Sequence, residues 1–152
     1  MATRLTVRDE LRRRLGDTGS VVWTDTELKG FIDNGISGLY PTYFLRQQGT
    51  TTAGAGPVQT FPVATPAVRN LYHIVIQFPS STRTHSVMGW TEGATGAVLP
   101  VGGITGATLV WSWTKGFTVP GADGATLDVT PEAEEVLILR TQITAMENLL
   151  SD

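Results

Sequence analysis

Thr24-Asp25-Thr26-Glu27-Leu28-Lys29-Gly30-Phe31-Ile32-Asp33-Asn34-Gly35-Ile36-Ser37-Gly38-Leu39-Tyr40-Pro41 carries the start and the stop of a helix in its own residues. Thr24 can accept a hydrogen bond from the amide three residues on, while Glu27 reaches back to the Thr24 amide, the reciprocal pair of a capping box. Trp23 and Leu28 occupy the positions of a hydrophobic staple around that cap. Leu28, Phe31, Ile32, Ile36 and Leu39 fall on one wide face at helical spacing. Pro41 ends the helix near Tyr40, because proline disfavours helical geometry in the residue before it. Gly30, Gly35 and Gly38 each weaken such a helix by about 1 kcal/mol relative to Ala, so another segment is expected to approach it closely. Tyr43 to Leu45 are expected to form a further short turn.

Upstream lies a second helical signal. Thr6 is the expected N-cap, with Asp9 in the acidic place of its box. Val7, Leu11 and Leu15 form one apolar stripe, and Gly16 suits the position just past the helix end. At the far end of the chain Thr130 and Pro131 open a third helix, with Glu132, Glu134 and Glu135 at its positive dipole end. Val136, Leu139, Ile143, Met146 and Leu150 repeat at 3,4,3,4 spacing, and Ile138, Ala145 and Leu149 widen the apolar surface. A helix apolar on more than one side is buried in its own fold or between subunits.

Between these ends the chain has strand character. Residues 47–57 are polar and rich in Gly and Thr, the composition of a linker. Tyr72, Ile74, Ile76 and Phe78 alternate with Leu71, His73, Val75 and Gln77, the clearest strand, followed by a turn from Pro79 to Thr84. Shorter strands are expected near Ser86–Thr91, Ala97–Val101, Ala107–Thr114 and Thr126–Val129. Gly96-Ala97-Val98-Leu99, Gly106-Ala107-Thr108-Leu109 and Gly124-Ala125-Thr126-Leu127 share a Gly-Ala-x-Leu pattern at irregular spacing, which reads as common hairpin chemistry rather than a solenoid. The expected class is α+β: a small helical bundle from residues 1–46 and 131–152, with an inserted antiparallel β-rich region over residues 57–129.

Composition excludes much chemistry. With no cysteine and two histidines, His73 and His85, the chain lacks disulfides, thiol catalysis and any Cys- or His-rich metal site. No cofactor motif appears, since the glycine-rich stretches lack the lysine and the strand–helix setting of phosphate loops. His73, His85 and Ser86 have the residue types of a hydrolase but no nucleophile-elbow motif, so no catalytic residue is expected. Apolar runs are too short for a membrane span and the N-terminus lacks a signal-peptide core, giving an expectation of a soluble, cytosolically made protein with no membrane partner. The net charge of −3 is uneven: residues 51–130 carry only six charged side chains, and residues 131–152 carry a net −4. Soluble monomer surfaces are about 25–35% charged, so so neutral a middle suits burial in an assembly, or else a Thr/Ser/Gly surface that stays soluble without charge.

Two groups admit two readings each. Arg12, Arg13 and Arg14 either contact a channel, DNA phosphates or an acidic partner, or form a solvated face paired with Asp9, Glu10 and Asp17. Trp111 and Trp113 share a strand face, either as an exposed row that stacks on a partner or a glycan, or as sheet core.

The segments Leu11-Arg12-Arg13-Arg14-Leu15-Gly16-Asp17, Trp23-Thr24-Asp25-Thr26-Glu27-Leu28 and Val129-Thr130-Pro131-Glu132-Ala133-Glu134-Glu135 resemble the head–tail connector (adaptor, or head-completion) family of long-tailed bacteriophages. The resemblance implies a structural virion protein made in the host bacterial cytoplasm and placed at the head–tail interface. It implies a homo-oligomeric ring matching the twelve-fold portal protein, bonded to the next connector or tail-completion protein, with DNA passing through unread. The interface expected on this reading uses Val136, Leu139, Ile143, Met146, Leu150, Trp111 and Trp113. Residues 57–129 are longer than a simple hairpin in that family. A tail-terminator or stopper protein, a carbohydrate- or receptor-binding β module using the tryptophans, and a small hydrolase using His85 are the alternatives.

Overall fold

The computed structural model describes residues 1–62 and 69–151. Three helices and seven strands make an α+β fold, in the order α1 (Arg4–Leu15), α2 (Asp25–Gly38), β1 (Leu45–Thr52), β2 (Val58–Thr60), β3 (Arg69–Gln77), β4 (Thr84–Ser86), β5 (Thr91–Glu92), β6 (Gly96–Val98), β7 (Thr108–Lys115) and α3 (Pro131–Ser151). The chain divides into two compact units, one of Met1–Phe44 with Gly116–Asp152 and one of Leu45–Lys115.

In the helical unit α1, α2 and α3 pack on one another. The cap of α2 is the expected box: Thr24 Oγ1 accepts from Glu27 N at 3.2 Å and Glu27 Oε2 accepts from Thr24 N at 2.7 Å. Helix α1 starts earlier than expected. Thr3 is its N-cap and Thr6 takes the third helical position, its hydroxyl serving where the usual box has a carboxylate. Two backbone bonds secure this start, Leu5 N to Asp123 O at 3.0 Å and Leu127 N to Ala2 O at 2.9 Å. Gly16 ends α1 in the left-handed region at φ 70°, as its position suggested.

The glycines of α2 are not equivalent. A Cβ on Gly35 would lie 2.7 Å from Leu137 Cδ1 and 3.0 Å from Thr141 Oγ1 of α3, whereas one on Gly30 would meet nothing within 4 Å. Close approach is thus confined to one turn. On the α3 side the seam is Ala133, Leu137, Thr141 and Ala145, every fourth residue and all buried.

In the sheet unit β1-β7-β3-β4 form a four-stranded sheet and β2-β6-β5 a three-stranded one, with every pairing antiparallel. The segment read as a linker is instead largely strand β1, paired with β7 over its whole length from Leu45↔Lys115 to Thr52↔Thr108. Its lone charge, Arg46, and its Gln, Gly and Thr residues are those of an edge strand, whose half-exposed face needs no apolar residues. The sheet unit therefore begins at Leu45 rather than at residue 57. It ends at Lys115, and residues 126–129 form no strand; Thr126 makes only an isolated bridge to Thr3 in the helical unit. The third Gly-Ala-x-Leu unit therefore lies outside both sheets, although Leu99, Leu109 and Leu127 are all buried.

Strand β3 carries a register shift between Leu71 and His73. Strict alternation would place Tyr72 with Ile74; instead Leu71, Ile74 and Ile76 are buried and Tyr72 is exposed. One extra residue at a bulge switches the face that follows, and Asn70 adopts left-handed backbone at φ 52° in a second shift just before it, between Arg69 and Leu71.

The seam around Gly35 gives a paired expectation. Gly30→Ala should stabilise the chain by about 0.5–1 kcal/mol through helix propensity. Gly35→Ala should destabilise it by about 1–2 kcal/mol, because overpacking a buried seam outweighs the same propensity gain. Urea unfolding followed by far-UV circular dichroism measures both.

Candidate subunit interface

Helix α3 has two apolar faces, and the helical unit uses only one. Thr130 Oγ1 accepts from Ala133 N at 3.4 Å to start the helix. Ala133, Leu137, Ile138, Thr141 and Ala145 are buried, and Thr141 Oγ1 satisfies itself on Leu137 O at 2.7 Å. The other face holds Leu139 (46% exposed), Ile143 (56%), Met146 (50%), Leu149 (51%) and Leu150 (86%), with Val136 half-buried at its start. The 3,4,3,4 stripe in the sequence therefore marks the outward face of α3 rather than the face packed within the helical unit. Small residues reach α2 more closely than large ones can, so Ala, Thr and Ala form the inner seam and the long side chains are left outside. The fourfold spacing of Ala133, Leu137, Thr141 and Ala145 was visible in the sequence and carried that signal.

The tryptophans leave the candidate interface. Trp111 is 0% and Trp113 4% exposed. Trp111 Nε1 donates to Thr51 Oγ1 at 2.7 Å, and the Trp111 ring meets Phe61 edge-on at 5.6 Å. Both lie in the core of the sheet unit with Leu71, Ile74 and Leu109. Central strand β7 places residues 109, 111 and 113 on one face by simple alternation.

The arginines of α1 are bonded within the helical unit. Arg12 is buried: its Nη1 donates to Asp17 Oδ2 at 2.8 Å, and its Nη2 donates to Asp25 Oδ1 at 2.6 Å and Trp23 O at 3.0 Å. Arg13 pairs with Glu10 at 2.6 Å on the surface. Arg14 reaches Glu10 at 2.7 Å and forks onto Glu135 of α3 at 2.7 and 3.0 Å. Each of the three arginines is thus ion-paired within the helical unit, Arg13 on its exposed surface; Asp25 and Glu135 are the partners that residue spacing did not supply.

These contacts shift the carboxylates downward. Hydrogen bonds from Arg13 and then Arg14 lower Glu10 from 4.5 to about 2. Arg14 lowers Glu135, and Arg12 lowers Asp25. Asp17 is pushed upward by burial, but amides of Val22, Trp23 and Val21, with Arg12, bring it below its usual value.

Of the remaining polar candidates two meet and the third stands apart. His73 Nε2 lies 3.0 Å from Ser86 Oγ across the β3–β4 pair, whereas His85 packs edge-on against Phe78 at 5.9 Å. Among the described residues no three His, Asp or Glu side chains converge as metal ligands, and no helix is long and apolar enough to cross a membrane.

No family model and no curated protein matches the chain. It is similar to a chain in a solved structure described as the neck of an empty GTA particle computed with C6 symmetry, at a TM-score of 0.36 and 17% identity, over 93% of this chain and 92% of that one. At that score the likeness is too loose to bear on function.

Two measurements check the electrostatics. Arg12→Ala should cost about 3 kcal/mol, since it strands the buried Asp17 carboxylate, while Arg13→Ala should leave stability almost unchanged. The lowered carboxylates make stability pH-dependent with a definite sign. For Glu10 the contribution is complete above the unfolded value of 4.5 and is lost as pH falls through the folded value of about 2; Glu135, Asp25 and Asp17, also lowered, contribute with the same sign. The Tm followed by circular dichroism should therefore fall across that window, and Glu10→Gln should reduce the slope.

Proposed function

We propose that this chain is a non-enzymatic structural subunit of a phage-type particle, a head-to-tail connector that works as a homo-oligomeric ring around the DNA path. The observation that carries the proposal is the outward face of α3. Leu139, Ile143, Met146, Leu149 and Leu150 form an apolar stripe along a helix whose opposite face is already packed. Contiguous apolar surface of this kind marks an interaction site. Fully burying one such side chain is worth about 1.5–3 kcal/mol, so five that are about half-exposed hold roughly 4–8 kcal/mol in reserve.

The sheet unit supports the same reading. It has five charged side chains in 71 residues, and among the described residues its edge strand β1 pairs with β7 alone. A neutral surface with an open edge suits neighbours in an assembly. The cluster Arg12–Arg14 is spent on carboxylates, which suits a wall past which DNA slides. The sequence resemblance supplies the portal protein and the next connector or tail-completion protein as partners, the virion as location and twelve as the subunit number. A glycan-binding module loses its platform once Trp111 and Trp113 are core residues.

The test is Ile143→Asp. At 56% exposure the charge is solvated in the single chain, so far-UV circular dichroism and Tm should stay close to wild type. Self-association in sedimentation velocity, alone or with portal, should weaken at least about tenfold, the equivalent of about 1.4 kcal/mol. Unchanged association with an intact fold would overturn the assignment of this face.

A further inference from the structure

The loop between α1 and α2 is held from inside by one carboxylate. Asp17 Oδ1 accepts from Val21 N at 2.8 Å and Val22 N at 3.0 Å, and Oδ2 accepts from Trp23 N at 3.1 Å and Arg12 Nη1 at 2.8 Å. Ser20 donates its amide to Asp17 O at 3.2 Å and sits in the left-handed region at φ 56°, a strained backbone for a residue with a Cβ. Trp23 closes the loop in the core. At the tip of this fixed backbone Val21 is 86% exposed and Val22 50% exposed. Two apolar side chains held in water by a strained, fully bonded loop gain nothing within the chain.

We infer that Val21 and Val22 are the other half of the head-to-tail contact: in the assembly, the loop tip of one copy docks on the Leu139–Ile143–Met146 face of α3 in the next. The inference rests on the ring reading above. A closed ring needs two different, mutually complementary surfaces on each subunit. The α3 stripe supplies one, and it exposes on the order of 300 Å² of side chain by the usual area conversion, well short of the roughly 800 Å² per partner of a stable interface. More surface must take part. Within the helical unit the loop follows Arg14, which is bonded to Glu135 near the start of α3. Met146 is 11 residues further along, about 16 Å at the helical rise. Val21 and Val22 stay exposed although the stripe belongs to the same unit, so the single chain does not cover the tip with it, and a second copy can bring the two together. The contact residues named are all apolar, and Arg140 and Glu147 flank them on α3 as an exposed polar rim. The loop is also pre-ordered, which spares the entropy that a mobile tip would lose on binding.

The chain has no cysteine, which makes cross-linking unambiguous. Val21→Cys and Ile143→Cys chains, mixed and oxidised with copper phenanthroline, should give a two-chain product containing one of each. The double variant should give a ladder of linked chains, since each subunit then bonds to two neighbours. Val21→Ser with Val22→Ser should weaken self-association at least about tenfold with Tm unchanged. If each single variant links only to itself, or the mixture gives no joint product while wild-type mass exceeds one chain, the loop's role is overturned and the ring reading stands. A single-chain mass at every concentration with portal present, and no cross-link, overturns both.

Discussion

The close approach of α2 and α3 at Gly35 governs the helical unit. No side chain larger than hydrogen fits there without displacing Leu137, which is itself fully buried. That contact requires α3 to turn its small residues inward, Ala133, Thr141 and Ala145 around Leu137 and Ile138. Large aliphatic residues elsewhere on α3 are then left facing water. The exposed stripe is thus a consequence of tight packing on the opposite side: interior density at the seam leaves an apolar face outside it.

Charge in the helical unit serves cohesion. Arg12 joins the end of α1 to the start of α2 through Asp17 and Asp25, and Arg14 joins α1 to α3 through Glu135. Burying a guanidinium is costly unless its donors are taken up, and Arg12 meets this with two carboxylates and two carbonyls. The same network holds the loop that displays Val21 and Val22. A run of arginines that suggests nucleic acid on paper is, in three dimensions, the frame that shapes an apolar tip.

The sheet unit keeps its aromatic mass inside. Trp111 and Trp113 on central β7, with Phe61 across from Trp111, leave a surface of Thr, Gly, Gln and Ser around them. Such a unit is stable on its own core and presents few charges to repel a neighbour.

The local elements were legible because their causes are local. The Thr24–Glu27 box, the Gly16 terminator, the Thr130-Pro131 start and the alternation along Ile74 and Ile76 each depend on residues a few positions apart. The α+β class followed from them. Tertiary structure decided the rest. A strand of Thr, Gln and Gly at 45–52 exists because β7 offers it a full ladder of partners, which no local propensity announces. The bulge near Asn70, the burial of the tryptophans and the pairing of Arg14 with Glu135 likewise join residues far apart in the chain. Which of two apolar faces of α3 turns inward was decided by Gly35, about a hundred residues away, because packing selects by shape where hydropathy alone leaves both faces equal.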